Sequence, residues 1–336
     1  VTMTPRVTIH DVARTAGVSP ATVSKVINGR YGVAHATSER VQAVIEELGY
    51  ESSLVARSLR SHRTNVIGIL VAEFEPFSAE ILKGVSTAID GTGYELLAYS
   101  GGDSVGSRAG WERRSLSRLS GTLIDGAIVV TPTVVDSGGT TPVVAIDPHA
   151  GPTGMPTVDS DNFSGGLTAT EHLLSLGHRR IGFLGGRPDL ESSRLREEGY
   201  RAALAAAGID VDPALLRVAD YRRDSARAPA RELLTLPQRP TAIFAANDLS
   251  AIGTMDVAHD LGISVPDELS VIGFDNVPES ALTSPPLTTV AQPIQEMGGE
   301  ALRLLVGILD GTSDPGSHLR LPTELVVRAS TAHPRA

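Results

Sequence analysis

Two hydrophobic rhythms divide the chain. Up to Leu48, apolar residues recur at helical spacing: Val12, Ala13 and Ala16, then Val23, Val26 and Ile27, then Val41, Val44, Ile45 and Leu48 at i, i+3, i+4 and i+7. They predict two short helices around a turn at Gly17 and a third from Thr37 to Leu48, stopped by Gly49. Beyond Asn65 the texture changes. Short apolar runs predict strands at Val66–Val71, Tyr94–Tyr99, Ala127–Val130, Val143–Ile146, Arg180–Leu184, Ala242–Ala245, Leu269–Phe274 and near Leu325–Val327. Helical stretches separate them at Phe77–Asp90, Trp111–Leu119, Asn162–Leu176, Ser193–Ala207, Ser225–Leu234, Leu249–Leu261 and Pro293–Leu309. Such alternation implies parallel sheets, and the strands are too many for one small sheet, so two doubly wound lobes fit better.

The first two helices carry their own punctuation. Thr8 and Asp11 form a T-x-x-D capping box, Ser19 suits the N-cap of the second helix, and Pro20 suits its first position, where a missing N–H costs nothing. With Val23, Val26 and Ile27 turned inward, Pro20, Ala21, Ser24, Lys25 and Asn28 remain outside. That face is small and polar, with one cation and no carboxylate, so it suits close approach to an anionic groove. Helix pairs of this kind also occur in purely structural roles. The string from Thr8 to Asn28, TIHDVARTAGVSPATVSKVIN, is more specific. It resembles the DNA-reading helix-turn-helix of the lactose-repressor (LacI) family, T-h-x-D-V-A-x-x-A-G-V-S-x-x-T-V-S-x-V-h-N. The resemblance implies base reading by Pro20, Ala21 and Lys25 and phosphate contacts from Thr8, Ser24 and Asn28, with Ile9, Ser19 and Thr22 in the same interface. Family members usually place Ser after the residue matching Val33. Ala34 stands there, so Thr37 or Ser38 is expected to take that phosphate contact.

Tyr50–Ser61 reads either as a frayed linker or as a short helix capped by Ser52 or Ser53, and isolated helices below ~12–15 residues are marginal. Its Val55-Ala56-Arg57-Ser58-Leu59 matches the family's hinge helix. The resemblance implies that two hinges fold against each other on DNA, that Arg57 joins the DNA contacts, and that Leu59 wedges open a base step in the minor groove.

The rest of the chain resembles the same family's effector-binding body. Leu123-Ile124-Asp125-Gly126-Ala127-Ile128, Leu176-Gly177-His178-Arg179-Arg180-Ile181, Ala246-Asn247-Asp248, Val271-Ile272-Gly273-Phe274-Asp275-Asn276 and Pro285-Pro286-Leu287-Thr288-Thr289-Val290 fall in family order, so the likeness covers nearly all of residues 6–330. The implied fold class is α/β: an N-terminal helix-turn-helix DNA-binding domain plus a two-lobed, doubly wound, periplasmic-binding-protein-like ligand domain. Residues 6–50 would form the head, 51–63 the hinge and 64–330 the body, with lobes of roughly 64–160 plus 292–320 and 161–291 plus 321–330. Ligands of open α/β sheets bind outside the carboxyl ends of strands, where Asp147, Asn247 and Asp275 fall. Arg196 lies in Arg194-Leu195-Arg196-Glu197-Glu198-Gly199-Tyr200, the family's R-L-R-x-x-G-aromatic segment. The resemblance implies that these four hold ligand hydroxyls, a task suited to carboxylates and guanidinium groups. For Asp147 and Asn247 the alternative is capping of the following segments. Phe77 aligns with an effector-contacting region, whereas Trp111 is expected to be a packed helix residue, and His172 and His178 surface or capping residues.

Charge first argues against DNA binding, since the net value is −10. Its distribution reverses the argument. Residues 1–63 hold eight Lys and Arg against five Asp and Glu, a net of +3, which leaves −13 for the remainder. A basic head on an acidic body fits a DNA module attached to something that should not stick to DNA. The absence of cysteine excludes disulfides and thiolate metal sites. No apolar run approaches the ~18–20 residues of a membrane span, and Val1–Arg6 shows no apolar signal region, so the expected location is cytoplasmic. With no G-x-S-x-G elbow and no P-loop, an enzyme is not expected, nor a cofactor or metal. The sequence thus predicts an allosteric transcriptional regulator, a repressor acting as a homodimer or dimer of dimers on a near-palindromic double-stranded operator, with a mono- or oligosaccharide effector. The alternative is a sugar-binding protein of a transport system, which would carry an export signal and no head.

Overall fold

The computed structural model describes residues 7–27, 31–50, 63–101, 110–133, 141–152 and 154–335. Asn28, Arg57, Leu59 and the proposed hinge helix lie outside the described residues. The chain divides at Thr64–Asn65 into two compact units, a head and a body.

The head has three helices, α1 (Ile9–Ala16), α2 (Pro20–Ile27) and α3 (His35–Leu48). Val12, Ala13, Ala16, Val23, Val41 and Val44 close its core. The Asp11 carboxylate accepts from the Thr8 N–H at 3.0 Å and from the Thr8 hydroxyl at 2.6 Å. Gly17 adopts φ 65°, which lets the Val18 N–H reach the Ala13 carbonyl at 3.0 Å and ends α1. Ser19 Oγ then accepts from the Thr22 N–H at 3.1 Å and starts α2. The third helix begins two residues earlier than its spacing predicts, because the Ala34 carbonyl takes the Thr37 N–H at 2.9 Å and no side-chain cap is needed.

In the body one sheet has the order β11-β5-β4-β3-β1-β2: β1 (Val66–Val71), β2 (Glu95–Ser100), β3 (Gly126–Val130), β4 (Val143–Ile146), β5 (Thr157–Ser160) and β11 (His318–Leu321), all parallel. The other has the order β12-β10-β9-β8-β6-β7: β6 (Ile181–Gly185), β7 (Leu216–Val218), β8 (Ala242–Ala245), β9 (Ser270–Asp275), β10 (Thr288–Ala291) and β12 (Glu324–Val326), the last an antiparallel edge. The intervening helices are α4 (Pro76–Ala88), α5 (Trp111–Leu119), α6 (Asn162–Ser175), α7 (Glu191–Ala206), α8 (Arg223–Leu234), α9 (Asp248–Asp260), α10 (Pro278–Leu282) and α11 (Ile294–Leu309). Ile81 and Val85 of α4 and Met297, Leu302 and Leu305 of α11 seal the first sheet. In the second lobe, α6 and α7 cover one face and α8 and α9 the other. The chain passes between the lobes three times, after Ser160, after Ala291 and after Leu321.

Two features depart from the sequence reading. Strands β5, β7, β10 and β11 are additional, and β5 (Thr-Val-Asp-Ser) is fully buried although three of its four residues are polar. Its Asp159 is matched from β11 by a bidentate Arg320 at 3.0 Å and by His318 at 2.9 Å. Nor is His178 a surface residue. It is 1% exposed, with Nδ1 2.9 Å from Thr241 Oγ1, and Nε2 2.9 Å from both Ser270 Oγ and the Ala332 carbonyl. His172, half-buried, meets Thr331 Oγ1 at 3.0 Å. Together they fasten the C-terminal tail to the second lobe, and burial pushes both imidazoles down toward the neutral form.

Candidate functional site

Strand ends from both lobes converge on one cleft of about 460 Å³. Val71–Glu73 leave β1, Thr131 follows β3 and Asp147 follows β4. From the other lobe come Arg187 after β6, Asp220 and Tyr221 after β7, Asn247 after β8 and Asp275 at the end of β9. Seven described non-glycine residues have a left-handed backbone, and five of them, Thr131, Asp147, Asp220, Tyr221 and Asp275, line this cleft. Strain of this kind persists where the surroundings over-determine it, typically at binding sites.

Phe77, Asp147, Arg196, Asn247 and Asp275 all face the cleft. Arg196, 2% exposed, is the most constrained. Its Nε donates to Asn162 Oδ1 at 2.8 Å and its Nη1 to the Ala246 carbonyl at 2.5 Å, while Asp275 Oδ1 lies 3.5 Å from Nη1. The guanidinium sits 3.8 Å above the centre of the Phe274 ring. The glycines between α6 and α7 hold it there: a Cβ on Gly166 would lie 2.4 Å from the Arg196 carbonyl oxygen. Asn247 is committed locally, accepting from the Ser250 N–H at 2.9 Å to cap α9 and donating to the Tyr221 carbonyl at 3.0 Å. The capping role weighed for it is therefore present, at a position that also lines the cleft.

The carboxyl groups are unusual. Burial pushes Asp275 up to about 7 against the pull of Arg196 and of Gln292, whose Nε2 donates to it at 2.6 Å. Burial likewise pushes Asp147 up to about 6 against Arg196. Behind them Asp248, fully buried, is raised well above the carboxylate range by burial and by the charge of Asp275, although Thr289 Oγ1 at 2.5 Å and the Val277 N–H at 2.9 Å donate to it. At the lip, Arg222 of one lobe pairs with Glu73 of the other at 2.6 Å, Arg187 pairs with Asp189, and burial pushes His149 down, with Arg187 adding to the effect.

Sequence reasoning missed Tyr221, Gln292 and the role of Asp248, and placed Trp111 in the core. Trp111 is 4% exposed and packed, yet it also lines the cleft, its ring held where a Cβ on Gly101 would lie 2.3 Å from Cε3. The signal for Asp248 was its place in the Ala246-Asn247-Asp248 phrase; Gln292, on a crossover, had none. Five carboxyl groups, the guanidinium groups of Arg187, Arg196 and Arg222, and the rings of Phe77, Trp111 and Tyr221 make an acceptor-rich, partly apolar cavity suited to a polyhydroxylated ligand. Among the described residues no cluster of His, Cys, Asp and Glu could hold a metal ion, and no helix is long and apolar enough to cross a membrane.

On the head, Ala21 and Lys25 are on α2, Ala21 exposed, with Pro20, Thr22 and Ser24 beside them. The Thr8 hydroxyl is engaged with Asp11, and the Ser19 hydroxyl lies 2.9 Å from Thr22 Oγ1. Ile9 packs at the edge of the head core, and Thr37 is half-buried in the first turn of α3.

A DNA-reading head on a two-lobed, ligand-binding body defines a ligand-responsive transcription factor. Residues 8–53 match the family described as bacterial regulatory proteins, lacI family, and residues 170–331 match a periplasmic binding protein-like domain. The HTH-type transcriptional regulator CelR of Thermobifida fusca is 36% identical over 97% of this chain and 98% of its own length. A solved transcriptional regulator CelR–cellobiose complex is similar at 35% identity, covering 97% of this chain and all of that one, with a TM-score of 0.72. The lac repressor dimer bound to operator and the anti-inducer ONPF matches at 27% identity over 97% and 99%, with a TM-score of 0.84. The chain belongs to the lacI family of bacterial regulatory proteins and is a DNA-binding transcriptional regulator.

Proposed function

We propose that the protein represses transcription in the cytoplasm as a homodimer or dimer of dimers on a near-palindromic operator, released or recruited by a mono- or oligosaccharide held between the lobes. The observation that carries the effector reading is the convergence of Asp147, Arg196 and Asp275 with Phe77, Trp111 and Tyr221 on one strained cleft. The solved CelR–cellobiose complex, in which a relative is bound to a sugar, supports the same class of ligand. On the head, Pro20, Ala21 and Lys25 take the base-reading places and Thr8, Ser24, Asn28 and Thr37 the phosphate places, with residues 51–63 as the hinge and Leu59 as its wedge. Where the ligand releases the protein, it reorients the lobes, the two hinges lose their pairing, and the heads separate. Such coupling is typically ~1–3 kcal/mol and is reciprocal.

Two measurements test this. A thermal-shift screen of sugars and nucleosides on the full chain identifies the effector, since a ligand that binds only the folded state raises its melting point. Matched titrations then show operator DNA and effector changing each other's affinity by one common factor; unequal factors refute the two-state scheme. Leu59→Ala weakens operator binding and lessens bending in a circular-permutation mobility assay, and unchanged bending removes the wedge.

A further inference from the structure

In α/β folds an anionic ligand is usually seated at a helix N-terminus, where free N–H groups and the helix dipole favour negative charge. Of the helices that begin at this cleft, four, α4, α7, α8 and α9, carry the protein's own charged or polar groups at their starts, whereas α5 starts at Trp111 without a side-chain cap. Glu75 is the N-cap of α4, in a capping box with Ser78, whose Oγ accepts the Glu75 N–H at 3.0 Å. At the start of α7 the Glu191 N–H is taken by the His149 carbonyl at 2.9 Å, and the Ser192 hydroxyl donates to Asp147. Asn247 caps α9, and its first residue is the buried Asp248. Of the four, α8 begins beside a cation, Arg222, and that guanidinium is held by Glu73 of the opposite lobe at 2.6 Å.

The side chains facing the cavity show the same bias. Glu73, Glu75, Asp147, Asp220 and Asp275 stand against Arg187, Arg196 and Arg222, and no lysine is present among the described lining residues. Two of those three guanidinium groups are in ion pairs at the lip, and the third spends N–H groups on Asn162 and the Ala246 carbonyl.

We infer that this cleft accepts only effectors without an anionic group, and that Glu73, Glu75 and Asp147, by filling the helix starts and pairing Arg222, exclude phosphorylated and carboxylated counterparts of the same ligand. The inference rests on the sugar-effector reading above and sharpens it to a neutral polyol. A phosphate monoester entering the cleft must displace these carboxyl groups or face them. Like-charge juxtaposition of that kind is strongly unfavourable, which reads as a loss of at least about 100-fold in affinity.

The test uses the full chain and matched pairs: glucose with glucose 6-phosphate, ribose with ribose 5-phosphate, cellobiose with its 6-phosphate, and adenosine with adenosine monophosphate. Each is measured by thermal shift and then by calorimetry. The expected result is that any neutral member that binds loses at least about 100-fold on phosphorylation, and that Glu73→Gln, which frees Arg222 beside the start of α8, narrows that ratio. A phosphorylated member binding within about tenfold of its parent, or more tightly, overturns the inference and leaves the cleft as an effector site. A ratio unmoved by both Glu73→Gln and Glu75→Gln also overturns it, because shape alone then excludes the phosphate. No binding by any member overturns the sugar-effector reading, and this inference with it.

Discussion

Replacing Asp275 with Asn separates the cost of building the cleft from what the cleft binds. The residue is 6% exposed, and burial lifts its carboxyl from 3.8 to about 7. The folded value lies above the unfolded one, so the native state holds the proton more tightly. Stability from this group is therefore full below about pH 4 and is lost as pH rises toward 7. At about 1.36 kcal/mol for each tenfold change in proton affinity, ionising Asp275 in place costs about 4 kcal/mol. A carboxamide at this position would keep the shape, escape that cost and still accept from Gln292. The attraction of Arg196 for the ionised carboxyl is already contained in the folded value of about 7, so its loss adds no separate cost. The net expectation for Asp275→Asn is a gain of about 4 kcal/mol at pH 8, falling to about 2 kcal/mol at pH 5, where the native carboxyl is protonated but the unfolded one is already ionised. Urea titration of the full chain, followed by fluorescence of the single tryptophan, Trp111, reads the body directly. The same variant should bind the effector about 10- to 100-fold more weakly, since a ligand hydroxyl loses a charged acceptor. Destabilisation at pH 8, or an equal displacement of the unfolding midpoint at both pH values, refutes the reasoning.

Other perturbations follow from the same geometry. Gly166→Ala drives a Cβ to 2.4 Å from the Arg196 carbonyl oxygen, so it should cost about 1–3 kcal/mol in urea titration and weaken effector binding; wild-type values for both would show that α6 and α7 yield freely. His178→Ala leaves Thr241, Ser270 and the Ala332 carbonyl without their shared partner and should cost about 3 kcal/mol, with earlier proteolysis of the C-terminal tail as the second readout. Arg222→Gln breaks an ion pair between two half-exposed side chains, so stability should change by less than about 1 kcal/mol while effector association and dissociation rates shift in stopped-flow fluorescence; a large stability change would contradict the exposed geometry.

What was legible in the sequence was what is local. The turn between α1 and α2 was readable because Gly17, Ser19 and Pro20 each solve a problem within four residues of themselves. Asp147 and Asp275 were readable because the carboxyl end of a parallel strand is a binding position wherever it occurs. By contrast, β5 has no apolar run to mark it as a strand: Asp159 tolerates burial only because Arg320 and His318 arrive from β11, about 160 residues later. Gln292 lay one residue before a proline, with nothing near it to mark a ligand site; one partner, Asp275, ends the neighbouring strand β9 and the other, Ser160, belongs to the opposite sheet. His178 reads from sequence as a surface or capping residue because both ring nitrogens are satisfied by groups more than 60 residues away. Charge state was hidden for the same reason, since Asp248 and Asp275 become neighbours only when β9 lies beside β8.

Gln292 also shows how binding could reach the connections between the lobes. It sits where the chain leaves β10 for α11, one of the three crossovers. Its Oε1 accepts from Ser160 Oγ at 2.5 Å, at a second crossover, while its Nε2 donates to Asp275 at 2.6 Å. A ligand hydroxyl that stabilises ionised Asp275 also strengthens the Gln292 bond, because a donor to a carboxylate binds more tightly than a donor to a neutral acid. The two crossovers are then tied more firmly through one carboxamide. The size is comparable: a charge-assisted hydrogen bond contributes about 1.5–3 kcal/mol against about 0.5–1.5 for a neutral one, so the gain of about 1 kcal/mol meets the lower end of the ~1–3 kcal/mol typical of coupling between sites. The lobes are packed cores that transmit strain without absorbing it, so a change of that magnitude has to be expressed where the backbone passes between them. The protonation of one buried carboxyl is thus large enough, and correctly placed, to bias the relation of the two lobes without an extended network.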